Sequence, residues 1–325
     1  MNPSQRIYTC ILLCLTLNLS CASATTVLKN MDTKAFTFHF ASIDEAKKLL
    51  TTEDEYTAAW SQFDIDSKTS KAGNTRDGFF EHIAAQALGW TDEEKLRLTE
   101  SIERIQKSIT DQKLTFQLDS PISIIKTTSN EEGGAAGYTR SNFIVLSEKV
   151  FDMPQERLDF LLTHELFHVI SRAKSELREK LYRVIGFHMM NDVAYPEAIA
   201  DYRITNPDAT QTDSYINLTV GEKPVKGMMI LYANRPYEGG SFFQYLNIGF
   251  LELEGDDNLK PSSNSEGPVI YSMEKVTGFH EQIGGNTKYI IHPEEIMADN
   301  FSLAILGGEM NNPEIVEKVK AILKM

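Results

Sequence analysis

The chain has 325 residues, 42% of them hydrophobic, with 32 Lys+Arg against 46 Asp+Glu and a formal net charge of −14. That length can bury a substantial core, and the acidic balance argues against nucleic acid or an anionic membrane surface as a partner, since both need basic patches. Its three cysteines, Cys10, Cys14 and Cys21, all lie within residues 1–24, so the rest of the chain must be stable without disulfides.

Residues 1–24 read as a secretory signal peptide. Arg6 supplies a basic start, Ile7 to Leu19 is an apolar run, and Ala22 to Ala24 places small residues at the expected cleavage site. The run is short for a transmembrane helix, and no other segment is apolar enough to span a bilayer. The expected location is therefore exported, periplasmic or extracellular, with no stable membrane span after cleavage. A lipoprotein anchored at Cys21 is the weaker alternative, because Asn18 stands where an aliphatic residue is wanted.

Ala35–Phe40 reads as a short strand, and Ser42 to Lys113 is mostly helical in pattern, interrupted by a polar loop at Asp66–Gly78. Thr91 with Glu94 three residues on forms a capping box ahead of the last of these helices. Residues 25–120 are expected to be a helical N-terminal region, a subdomain or a pro-segment, ahead of a catalytic region at 121–325. Ile122–Thr128 and Tyr138–Leu146 read as two strands. The glycine-rich "EEGGAAG" between them lacks the Lys-Ser/Thr ending of a phosphate loop and reads as a hairpin connection.

Asp152, with Gln155 at the capping-box position, is expected to open a helix. Its apolar stripe is Leu158, Leu161, Leu162, Leu166, Val169 and Ile170. A second helix ends at Gly186, followed by a turn at "TNPD" and a strand at "KGMMILYA". Finally "TKYIIHPEEIMADNFSLAILGG" reads as a strand running into a helix that stops at Gly307 and Gly308.

The helix expected over "LDFLLTHELFHVISR" carries the chemistry. His164 and His168 stand at i and i+4, so both imidazoles leave one helix face a turn apart. Two nitrogens so placed can reach one tetrahedral zinc at about 2.0–2.1 Å. Glu165 lies about 100° around the helix, near enough to take the proton of a water on the zinc and pass it to a leaving amine. The alternative is a pair of buried histidines on an amphipathic helix. A strand ahead of this helix could offer a sheet edge to an extended peptide.

"HELFH" resembles the signature of the zincin metallopeptidases. The residues after His168 lack the glycine and third histidine of a metzincin, and the pattern is similar to the gluzincin branch instead. The resemblance covers the motifs and their strand–helix setting rather than the whole chain. It implies a third ligand from a Glu-x-x-x-Asp segment on a later helix, whose aspartate supports a ligating histidine.

Two segments fit: Glu197–Asp201 and Glu295–Asp299. The first lies closer to the histidines, as in thermolysin-like enzymes, but is short and closed by Asn206–Pro207. The second is preferred. It sits on a longer amphipathic pattern with Pro293 in its first turn and Ile296, Phe301 and Leu303 to anchor it, and "EIMADN" resembles the neprilysin-like form.

The expected fold is α+β and zincin-like, with a helical N-terminal region, a small mixed sheet and an active-site helix. The expected function is that of an exported zinc metallopeptidase, a hydrolase acting on a peptide or protein substrate. One zinc ion would be held by His164, His168 and Glu295, with Glu165 as general base and Asp299 orienting a ligand; Glu197 with Asp201 is the alternative third-ligand pair. A non-peptidase zinc hydrolase and an inactive zincin-fold binding protein are the other readings. His292 suits a helix cap better than an oxyanion donor, while Tyr195, Tyr237, Tyr271 and Tyr289 are oxyanion donors by residue type only.

Overall fold

A computed structural model describes residues 35–324, and the expected signal peptide with its cysteines lies outside them. The chain is a mixed α+β protein built around two sheets. Residues 36–324 belong to one compact unit. No described helix is long and apolar enough to cross a membrane.

The first sheet begins with β1 (Phe38–Phe40). Four helices follow: α1 (Ile43–Leu50), α2 (Glu55–Ala58), α3 (Gln62–Lys68) and α4 (Arg76–Ala85). A short β2 (Ala87–Leu88) leads into α5 (Asp92–Asp111), where the capping box forms as expected: Thr91 accepts from the Glu94 amide and Glu94 from the Thr91 amide.

β3 (Ile122–Thr127), β4 (Gly137–Arg140) and β5 (Phe143–Ser147) complete the sheet in the order β1-β3-β5-β4, with β2 on β3. β3 runs parallel to β1 and β5, and β4 is an antiparallel edge strand. The helical N-terminal region therefore shares a sheet and a core with the chain beyond residue 120.

Three expectations change here. Tyr138–Leu146 is not one strand but the β4–β5 hairpin, because Ser141 turns the chain in the left-handed region at φ 45°. The glycine-rich stretch is consequently not a hairpin, since β3 and β4 are not neighbours. Gly133 within it has φ 63°, and a Cβ there would come within 2.2 Å of the Phe242 ring. Asp152 does not cap the next helix: α6 (Gln155–Ala173) starts after Pro154, which presents no side-chain cap. Gln155 instead reaches α5, accepting from Arg97 Nε at 3.2 Å and donating to Ser101 Oγ at 2.7 Å.

After α7 (Ser175–Val184) the second sheet is assembled from β6 (Phe187–Met189), β7 (Ser214–Val220), β8 (Lys223–Ala233), β9 (Leu246–Glu254) and β10 (Lys260–Pro261) in spatial sequence, with β11 (Ile270–Ser272) also on β9 and every pairing antiparallel. The one-turn helix α8 (Glu197–Ala200) sits in the β6–β7 connection. A five-residue α9 (Phe279–Ile283) precedes α10 (Pro293–Leu306) and α11 (Pro313–Leu323). No strand forms at Thr287–Ile291; the chain there is irregular up to His292, which caps α10 by accepting the Glu294 amide at 3.2 Å.

Helices α6 and α10 pack against each other at the centre. Leu158, Leu162, Leu166, Val169 and Ile170 of α6 are buried, as are Ile296, Ala298, Phe301 and Ala304 of α10. Phe167 meets Phe301 at a ring-centroid distance of 5.4 Å. At about 1.5–3 kcal/mol for each large apolar side chain buried, this seam fixes the register of the two helices. That register decides which carboxylates meet the histidines.

Candidate metal centre

α6 delivers His164 and His168 to the α10 side and Glu165 towards β4, all three as buried residues. α10 answers with Glu294, Glu295 and Asp299. Glu295 Oε2 lies 3.0 Å from His164 Nε2 and 3.5 Å from His168 Nε2. The other ring nitrogens are held from behind: His164 Nδ1 is 2.8 Å from Asp299 Oδ1, and His168 Nδ1 is 3.1 Å from Glu294 Oε1. A carboxylate only accepts, so both Nδ1–H groups donate outward and both Nε2 atoms are aimed at Glu295.

His164, His168 and Glu295 each offer a ligand atom within 4.8 Å of the others, and all three residues are buried. His168 Nε2 is a buried nitrogen without a hydrogen-bond partner, because its 3.5 Å approach to Glu295 lacks bonding geometry. A buried polar atom left unpaired is costly, and a cation at the convergence point removes that cost. Two imidazoles and one carboxylate are a donor set that fits zinc with a fourth position open.

Of the two Glu-x-x-x-Asp segments, the fold brings only Glu295–Asp299 to the histidines. Glu197 and Asp201 are exposed to solvent, since α8 is a single turn with no buried residue to hold it against the core. Asp299 lies against His164 Nδ1 and is itself held by the Thr287 hydroxyl.

Electrostatics follow from the crowd of acids. Burial alone would lower the proton affinity of His164, but Asp299 and Glu295 push its pKa up to about 10. His168 is likewise raised well above the usual histidine value, against burial, by Asp208, Glu295 and Glu294. Glu295 is driven well below the carboxylate range by the two histidines despite its burial. Glu165 moves the other way: burial raises its pKa over the opposing pull of His168 and His164.

Several neighbours were not foreseen from the sequence. Glu294 accepts from His168, Ser171 and the Tyr182 hydroxyl; its place beside Glu295 in "HPEEIMAD" was a visible signal. Thr139 of β4 donates from Oγ1 to Glu165 Oε2 at 2.8 Å. A Cβ on Gly137 would stand 2.8 Å from Glu165 Oε1, so the glycine leaves room for the carboxylate.

Asn206 donates to Glu295 Oε1 at 2.6 Å, and Asp208 accepts the Thr139 amide at 2.5 Å. Arg172 holds this segment by donating to the Pro207 and Asp208 carbonyls, both at 3.2 Å. No local pattern announces contacts that arise from a loop crossing the site.

The four tyrosines separate. Tyr195, Tyr237 and Tyr271 bond to Leu231, Gly240 and Glu252, away from the centre. Tyr289 has its ring 6.2 Å from that of His164. No family model, curated protein or solved structure matches the chain.

Proposed function

We propose that the protein is a zinc-dependent hydrolase of peptide bonds, with His164, His168 and Glu295 as metal ligands and Glu165 as general base. The observation that carries this reading is the convergence of two outward-anchored histidines and one carboxylate on a single buried point, with a second carboxylate beside it. Zinc held there would supply a Lewis acid and lower the pKa of a water.

The protein's own groups have distinct tasks. Asp299 and Glu294 hold the Nδ1–H groups of His164 and His168, which fixes ring orientation and raises ligand basicity. Glu165 takes a proton from the attacking water and returns it to the leaving amine. Its proton affinity, raised by burial, suits that exchange. Thr139 occupies Glu165 Oε2, which leaves Oε1 to carry the proton. A peptide pairing along the edge of β4 would have to exchange the bond between the Thr139 amide and Asp208. Export belongs to the same reading and rests on the pattern of residues 1–24.

Glu165→Gln tests it. Zinc should stay bound while peptide cleavage falls by about 10²–10⁴-fold. An unchanged rate would remove Glu165 from its role and with it the peptidase reading.

A further inference from the structure

Beside the candidate centre opens a cavity of about 100 Å³, smaller than the roughly 300–1,000 Å³ of drug-sized ligand sites. Four of its lining residues tie it to the centre. Gly137 makes room for Glu165, Asn206 donates to Glu295, Asp208 holds the Thr139 amide, and Tyr289 faces His164.

Exposure orders the lining from mouth to floor. Phe243 and Tyr289 are 56% and 47% exposed, whereas Phe242 and Leu246 are half-buried and Ile204 and Leu231 fully so. Lys68 and Glu132, at 4% and 6%, lie as deep as Ile204 and Leu231 at 5% and 6%. The cavity is thus an apolar shaft whose floor carries one ion pair beside Ile204 and Leu231.

A donor and acceptor account of that floor states what it can bind. Lys68 Nζ donates to Tyr56 Oη at 2.6 Å and to the Thr205 carbonyl at 3.1 Å, and it forms an ion pair with Glu132 Oε2 at 2.8 Å, so all three of its protons face protein groups. It has none left for a ligand. Glu132 accepts only from Lys68 and the Tyr56 hydroxyl, so about half of its lone-pair sites are open. The floor can accept a hydrogen bond and cannot give one. Anionic and acceptor-only tips are therefore excluded, and an apolar body with a donor tip fits.

Resting on the hydrolase reading, we propose that this cavity is a specificity pocket for a substrate tyrosine flanking the cleaved bond. The ring lies against Ile204, Leu231, Phe242 and Leu246, and the hydroxyl donates to Glu132. Phenylalanine would fill the shaft and leave the floor unmatched, and alanine would do neither.

The experiment has two arms. In the first, zinc-loaded protein is given peptides that differ at one residue flanking the cleaved bond: Tyr, Phe, Leu, Lys, Glu or Ala. In the second, N-acetyltyrosinamide and N-acetylphenylalaninamide are titrated into the zinc-loaded protein and binding is read by NMR, independently of turnover. Tyrosine should exceed phenylalanine by about tenfold in kcat/KM and in affinity, as for a hydrogen bond to a charged group, and exceed alanine by about 100-fold.

Glu132→Gln should bring the Tyr/Phe ratio towards one. Leu246→Trp, at a half-buried wall position, should abolish the tyrosine advantage by filling the shaft even if the Glu132 variant fails to fold. Cleavage with no tyrosine preference, or with lysine or glutamate preferred, overturns the pocket and leaves the hydrolase standing. No cleavage of any peptide, with N-acetyltyrosinamide still bound in a Leu246-dependent way, overturns the hydrolase and keeps the pocket. Neither cleavage nor binding overturns both.

Discussion

Glu294→Gln is the perturbation that probes the centre from behind. Glu294 is 2% exposed and holds His168 Nδ1 at 3.1 Å while also accepting from Ser171 and Tyr182. The amide keeps the shape, removes the charge, and sets an NH₂ group among three donors. Loss of such a partner behind a metal-bound histidine costs about 10–100-fold in metal affinity, or about 1.4–2.7 kcal/mol.

A competing effect works in the other direction. Glu294 also raises the proton affinity of His168, so its removal eases the displacement of that proton by metal. The deficit should therefore be smaller at pH 7 than at pH 9. Zinc Kd measured by competition with a chromophoric chelator at both pH values decides the matter. A variant within twofold of the wild type at pH 9 would refute the claim that Glu294 supports the ligand.

Three further outcomes follow from the same geometry. Zinc binding at pH 8 should release about two protons, because His164 holds its proton up to about pH 10 and His168 is raised as well; calorimetry in buffers of different ionisation heat should show it, and heat independent of buffer would contradict it. Asp159→Asn should cost about 1 kcal/mol at pH 7, discounted because the Arg104 side chain is 43% exposed. Arg104 holds the folded pKa of Asp159 below its ordinary value despite burial, so this stability is present above about pH 3.9 and lost as pH falls through the folded pKa. Urea titrations should show the two proteins converging in acid, and a constant gap would exclude the ion pair as the cause. Gly137→Ala, with its Cβ 2.8 Å from Glu165 Oε1, should lower peptide cleavage by about tenfold through misplacement of the base while zinc content stays unchanged; loss of zinc would mean the strand supports the ligands instead.

What the sequence made legible was local. The stripe of α6 and the spacing of His164, Glu165 and His168 lie within one helix, and Pro293 and Gly307 mark the ends of α10. The choice between Glu295 and Glu197 was open because both stand in the same Glu-x-x-x-Asp frame. Packing sets them apart: α10 buries twelve of its residues, Glu295 among them and beside the histidines, and α8 buries none.

Asn206, Asp208 and Thr139 were out of reach for a different reason. They meet the site across 89, 69 and 26 residues of chain, and such pairings follow from tertiary register alone. The misread cap at Asp152 has a local cause, since Pro154 takes the N-cap position and starts the helix later.

The central claim is that His164, His168 and Glu295 hold one zinc ion. Its most direct test is zinc content and affinity, by mass spectrometry and chelator competition, for the wild type, Glu295→Gln and Glu197→Gln side by side. The account predicts one zinc per chain in the wild type and in Glu197→Gln, with the affinity of Glu295→Gln weakened by at least about 100-fold. Wild-type affinity in Glu295→Gln, or loss of zinc on changing Glu197, would contradict it.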